Sequence, residues 1–196
     1  MSDSNLTLPV ALITALVPLF GIFMALISVR WQMKRQWLLH SATLITSLDD
    51  RFNSTEWREY RKQCAEKLKD YRFRPTELDL SENFPVLPFF ENLGYLVRSG
   101  ALDQMMVWNK FGRYVVGYYL ALTTSKDVIQ EVRQKTGDST LWEEFEWLSK
   151  ECIKIYQNKG IKFEDKESRD DKITALLKWE STLVISSSNS NLMITK

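Results

Sequence analysis

A chain of 196 residues has room for one ordinary domain and a short appendage, and excludes two full domains. Its 44% hydrophobic and 12% aromatic content excludes general disorder, and 26 basic against 25 acidic residues leave a net charge of +1, too little to draw the chain onto nucleic acid. A single histidine, His40, and two widely spaced cysteines, Cys64 and Cys152, are a poor ligand set for zinc, so neither a metal nor a cofactor is expected.

The 24 residues from 6 to 29 are uncharged, and their polar members are Thr7, Thr14 and Ser28. As a helix rising about 1.5 Å per residue the run spans roughly 36 Å, more than the ~30 Å hydrocarbon layer of a bilayer. It therefore reads as a transmembrane helix over 6–29 behind a short extracytoplasmic N-terminus, 1–5. Asp3, with no Lys or Arg ahead of the run, argues against a cleaved signal peptide. Arg30, Lys34 and Arg35 follow the run, with Trp31 and Trp37 among them. Basic residues stay on the cytoplasmic side and Trp favours the headgroup layer, so these residues are the expected anchoring girdle at an inner (plasma) membrane. The N-terminus is then outside and residues 30–180 form a cytoplasmic helical domain. Pro18 removes a backbone donor in mid-run and is expected to bend the helix. Small residues recur at a period of about 3.5, with Ala11, Pro18 and Ala25 on one row and Thr14, Gly21 and Ser28 on the next. Such a row lets two helices approach closely in lipid, which makes it a candidate seam for a homo-oligomer.

Beyond the girdle, Leu38, Ala42, Ile45, Leu48 and Phe52 recur every three or four residues, predicting a helix that stops within 49–53. Asn53 and Glu56 have capping-box spacing for a second helix, in which Trp57, Tyr60, Cys64, Leu68 and Tyr71 form one stripe. Residues 74–83 read as a loop, and a helix is expected over 85–99, closed by Gly100. The segment 102–122 is apolar nearly all round; Asp103, Lys110 and Arg113 interrupt it, so it reads as a buried central helix rather than a second span. Gly137 and Asp138 break the pattern before a helix over 140–158, a short helix follows over 168–179, and the Ser- and Asn-rich stretch 181–196 is expected to be a mobile tail. The expected class is all-α, an N-terminal transmembrane helix followed by a cytoplasmic bundle of five to six helices.

Glu91 stands out chemically because Phe89, Phe90, Leu93 and Leu96 surround it in sequence, a setting that raises a carboxyl pKa. With Arg98 and Arg113 as ion-pair partners it makes a candidate buried polar site. Asp49, Asp50 and Arg51, with Glu56 and Arg61, form a charged joint between two helices, which surface pairing and capping explain. A di-iron Glu-x-x-His pair, a phosphate-cradling glycine loop and a nucleophile elbow are all missing, so no catalytic residue is assigned.

The run Phe89-Phe90-Glu91-Asn92-Leu93-Gly94-Tyr95-Leu96-Val97-Arg98-Ser99-Gly100-Ala101-Leu102-Asp103 continues in Val107-Trp108-Asn109-Lys110-Phe111-Gly112 and then Tyr118 and Tyr119. Behind an apolar N-terminal run, this pattern resembles a bacterial family of small membrane-anchored helical proteins described as a domain of unknown function. The resemblance implies an all-helical cytoplasmic module with one anchor and carries no catalytic residue. The leading functional expectation is a membrane-tethered interaction module, an adaptor, sensor or stress or phage-defence effector. Its expected partners are membrane lipid, a second copy of the chain through the seam, and a protein yet to be identified. Two rivals are a membrane-associated hydrolase or nucleotide-responsive enzyme using Glu91 and the 49–61 joint, and an accessory subunit of a transporter.

Overall fold

The computed structural model describes residues 7–73, 84–124, 127–161 and 166–182, with the backbone alone at 7–19, 72–73 and 166–168. Seven helices and no strand are found among the described residues: α1 (Thr7–Phe52), α2 (Thr55–Phe73), α3 (Val86–Arg98), α4 (Gln104–Thr123), α5 (Val128–Thr136), α6 (Glu143–Asn158) and α7 (Lys166–Ser181). The all-α expectation holds for them. The expected N-terminal segment 1–5, the loop 74–83 and all but the start of the tail 181–196 lie outside the described residues.

The chain divides into two compact units, Met1–Thr43 and Leu44–Lys196. The first contains most of α1, which runs through Pro18 without interruption. Every side chain from 20 to 40 is exposed, including large apolar groups such as Phe20 at 66% and Leu26 at 60%. Among the described residues no helix is long and apolar enough to cross a membrane. The expected span over 6–29 falls only partly within them, since residue 6 and the side chains of 7–19 lie outside. The described remainder, 20–29, is by itself far shorter than the ~20 residues a spanning helix needs.

In the second unit α4 is the central element and packs against α2, α3, α5, α6 and α7. The reason is its sequence: Val107, Phe111, Tyr114, Val115, Tyr118 and Leu122 leave hardly a polar side to face water, and all are buried. Phe52, Phe90, Phe111 and Phe145 are fully buried, with Phe52 stacked on Phe89 at 5.1 Å and edge-on to Phe111 at 5.3 Å.

The joints follow local chemistry. The Asn53–Glu56 capping box does not form: the helix starts one residue later, with Ser54 Oγ accepting from the Trp57 N–H at 3.4 Å. Asn53 instead closes α1, its Nδ2 donating to the Asp49 carbonyl at 3.0 Å. α3 ends as the glycine predicts. Gly100 sits at φ +77°, the Gly100 N–H donates to Val97 O at 3.0 Å and the Ala101 N–H to Leu96 O at 2.9 Å, a Schellman closure. Asp103 then caps α4 by accepting from the Met106 N–H at 2.9 Å. The short helix α5, between Asp127 as its cap and Gly137 at φ +72°, is not legible as an element in the apolar periodicity.

Candidate functional site

Charge gathers in two clusters, one between α3 and α6 and one inside the core.

At the first, Glu91 on α3 reaches the start of α6. Its Oε2 accepts from the Phe145 N–H at 2.8 Å and its Oε1 from the Glu144 N–H at 3.3 Å. Those N–H groups are orphans of a helix's first turn, and a carboxylate there also meets the positive end of the helix dipole. The cap is supplied from another helix because Trp142, at the N-cap of α6, has φ 58° and makes no side-chain cap bond. Burial pushes the Glu91 carboxyl up, and the two backbone N–H groups pull it back down. Arg98, two turns along α3, pairs with Glu144 at 2.7 Å and Glu143 at 3.4 Å, and its guanidinium lies 5.0 Å from the Trp147 ring centroid. Arg133 on α5 pairs with Glu146 at 2.7 Å and donates to the Leu141 carbonyl at 2.8 Å. Gly94 permits the close approach: a Cβ there would stand 2.3 Å from the Glu144 carbonyl oxygen.

The second cluster is deeper. Arg61 on α2 is 1% exposed and Glu180 on α7 is 0% exposed, with Arg61 Nε 3.3 Å from Glu180 Oε2. The Arg61 guanidinium is packed over the Phe52 ring at 4.2 Å and the Tyr114 ring at 5.3 Å. The fully buried Tyr118 hydroxyl donates to the Arg61 carbonyl at 3.2 Å. Among the described residues no well-formed hydrogen bond reaches Arg61 Nε, Arg61 Nη1 or either Glu180 oxygen, so the pair is held by charge, by ring contacts and by the nearby Tyr118 hydroxyl, which favours the charged Glu180 carboxylate. Burial pushes the Glu180 carboxyl up to about 7 against the downward pull of Arg61 and Arg113. Burial likewise pushes the thiols of Cys64 and Cys152 up to about 12, which leaves both as inert buried thiols.

The structure thus brings together Glu91 and Arg98, at the start of α6, and places Arg113 elsewhere. Arg113 is exposed on α4, stacked over the rings of Tyr114 at 4.5 Å and Trp179 at 4.7 Å, and in close contact with the Tyr114 hydroxyl. The 49–61 joint also divides. Asp49 pairs with Lys110 at 2.8 Å, Glu56 accepts from the Tyr60 hydroxyl at 3.0 Å, and Arg61 turns inward to Glu180. Of the anchoring residues, Arg30, Trp31, Lys34, Arg35 and Trp37 are all exposed. Of the seam, Gly21, Ala25 and Ser28 are exposed, and the side chains of Ala11, Thr14 and Pro18 lie outside the described residues. Sequence reasoning misses Glu180 and Tyr118. Tyr118 reads as core, and Glu180 continues the row of Ile173 and Leu177, seven and three residues before it, which the charged composition of α7 hides.

The run from Phe89 to Asp103 has a structural task at nearly every position: core packing, the α6 cap, the close approach at Gly94, the Schellman turn and the α4 cap. The sequence matches the family described as domain of unknown function (DUF4760) over residues 10–152. The chain belongs to the DUF4760 family. None of the curated proteins and none of the solved structures matches it. The DUF4760 match covers α2 to α5 whole and stops inside α6, so α7, which supplies Glu180, lies beyond it.

Proposed function

We propose that this DUF4760 chain is a membrane-tethered helical module that works by binding, to a protein partner or to its own copy, and performs no chemistry of its own. The observation that carries this reading is the uncharged 6–29 run followed by exposed Arg30, Trp31, Lys34, Arg35 and Trp37. Exposed apolar side chains at 20, 22, 23, 26 and 27 cost free energy in water and are stabilised by lipid or by a second helix. The basic girdle would set the second unit on the cytoplasmic side of an inner membrane, and the Gly21 row would be the seam for self-association.

The charged residues fit a structural role. Glu91 gives both oxygens to backbone N–H groups, Asp49 is paired, and Arg61 is sealed in the core, so none offers an open acid or base to a substrate. This argues for the binding reading over the hydrolase or nucleotide-responsive one. Fractionation of the full chain after detergent-free lysis tests the tether. The chain should pellet with membranes and resist alkaline carbonate, a cysteine placed at Ser4 should react with an impermeant thiol reagent outside spheroplasts, and Gly21→Leu should lower cross-linked dimer. Recovery of the intact chain in the soluble fraction, or a Ser4 label that requires lysis, would overturn it.

A further inference from the structure

Arg30, Lys34 and Arg35 are exposed on α1, and among the described residues none of them has an ion pair. The chain has no acidic residue between Asp3 and Asp49. From Arg30 to Thr43, where the first unit ends, α1 rises about 20 Å, more than twice the screening length of about 8 Å at physiological salt, and that stretch holds no carboxylate to offset the three cations. We propose that this collar binds the phosphodiester head groups of anionic phospholipids, so that the protein gathers acidic lipid around the point where α1 leaves the bilayer. The inference rests on the tether reading and deepens it by naming the lipid class.

The helical register selects that ligand. At about 100° per residue, Arg30, Lys34, Trp31 and Arg35 fall within a sector about 140° wide, so the cations share one side of α1. Arg30 and Lys34 are one turn apart, where like charges repel and weaken a helix; a phosphate between them relieves the repulsion and receives donors from both. Along the axis the three cations span about 7.5 Å, close to the roughly 5–7 Å depth of one headgroup layer. Trp31, 76% exposed in the middle of the sector, belongs to the residue type that settles at that depth. A soluble anion would engage the charges alone, whereas a lipid engages the charges, Trp31 and the apolar run before them. The Gly21, Ala25 and Ser28 row is centred about a third of a turn away, so two copies paired there would keep these cations towards lipid.

The test is lipid selectivity of the full chain reconstituted in phosphatidylcholine vesicles, measured by electron paramagnetic resonance with chain-spin-labelled phosphatidylglycerol or phosphatidylcholine as the probe. The fraction of each probe immobilised by the protein gives its relative association constant. Phosphatidylglycerol should be preferred about fivefold at about 0.01 M salt, the effect of one cation at an anionic head group, and the preference should vanish at about 1 M. Arg30→Gln, Lys34→Gln and Arg35→Gln together should bring it to unity while the immobilised fraction of phosphatidylcholine is unchanged, whereas Arg30→Lys with Arg35→Lys should keep it. Inorganic phosphate should lower the preference no more than chloride of equal ionic strength. Equal association of the two lipids with the unaltered chain, a preference that survives the triple variant, or one that phosphate alone abolishes overturns the proposal and leaves the tether standing. Immobilisation of neither lipid overturns the tether and this inference with it.

Discussion

The clasp between α3 and α6 and the Arg61–Glu180 pair use the same residue types to opposite effect. In the clasp the carboxylates of Glu91 and Glu146 meet N–H, guanidinium or ammonium groups and remain partly in water, and among the described residues Glu144 Oε2 and Arg133 Nη2 are its buried polar atoms without a hydrogen-bond partner. In the core both charges are sealed, and among the described residues Arg61 Nη1 and the Glu180 oxygens lack a well-formed hydrogen bond. Solvated, paired charges contribute little each and register the helices; a sealed pair is near balance when whole and costly when halved.

The sharpest way to break the comparison is to remove one half of the core pair. Arg61→Met or Glu180→Leu alone should destabilise the full chain by about 3–5 kcal/mol, while the double variant should recover most of that loss, as denaturant titration would show. A double-variant loss equal to the sum of the two single losses would mean that the charges do not depend on each other. A pH series probes the same pair. The folded-state pKa of Glu180, about 7, stands above its ordinary 4.5, so the folded chain keeps a proton that the unfolded chain has released. The stabilising contribution of this group is therefore full below about pH 4.5 and is lost as pH rises through about 7. Between pH 5 and pH 7.5 the unaltered chain should lose stability relative to Glu180→Gln, measured by the shift of the unfolding midpoint.

On the clasp, Gly94→Ala drives a methyl into the Glu144 backbone and should cost about 1–3 kcal/mol, the range for overpacking, with a lowered Tm as the readout. Arg98→Ala, which removes a half-exposed pair, should lower Tm less than Gly94→Ala does, and high salt should erase even that small loss. A larger effect from Arg98 than from Arg61 would invert the comparison.

Sequence legibility divides along the same line. Helices with a strong apolar stripe and a nearby cap, such as α3 with Gly100 and α4 with Asp103, can be read because their signals lie within a few residues. Glu91 can be singled out from its apolar neighbours, but not the target of its carboxylate, because the backbone N–H groups it caps belong to a helix far along the chain. Glu180 is hidden for a stronger reason: the charged composition of α7 masks the row of Ile173, Leu177 and Glu180, and the packing of that row against α2 and α4 is what marks its buried face. The Asn53–Glu56 box misleads because Ser54, one residue on, is an equally good cap and takes the role.

The direct measurement for the tether is flotation of the full chain with phospholipid vesicles on a density gradient, beside a variant carrying Ile22→Lys and Leu26→Lys. The chain should rise with the vesicles and the variant should stay at the bottom, since each lysine in mid-bilayer opposes insertion by about 2.5–3.5 kcal/mol. A full chain that remains below as a monodisperse species, or a variant that floats equally well, would contradict the account.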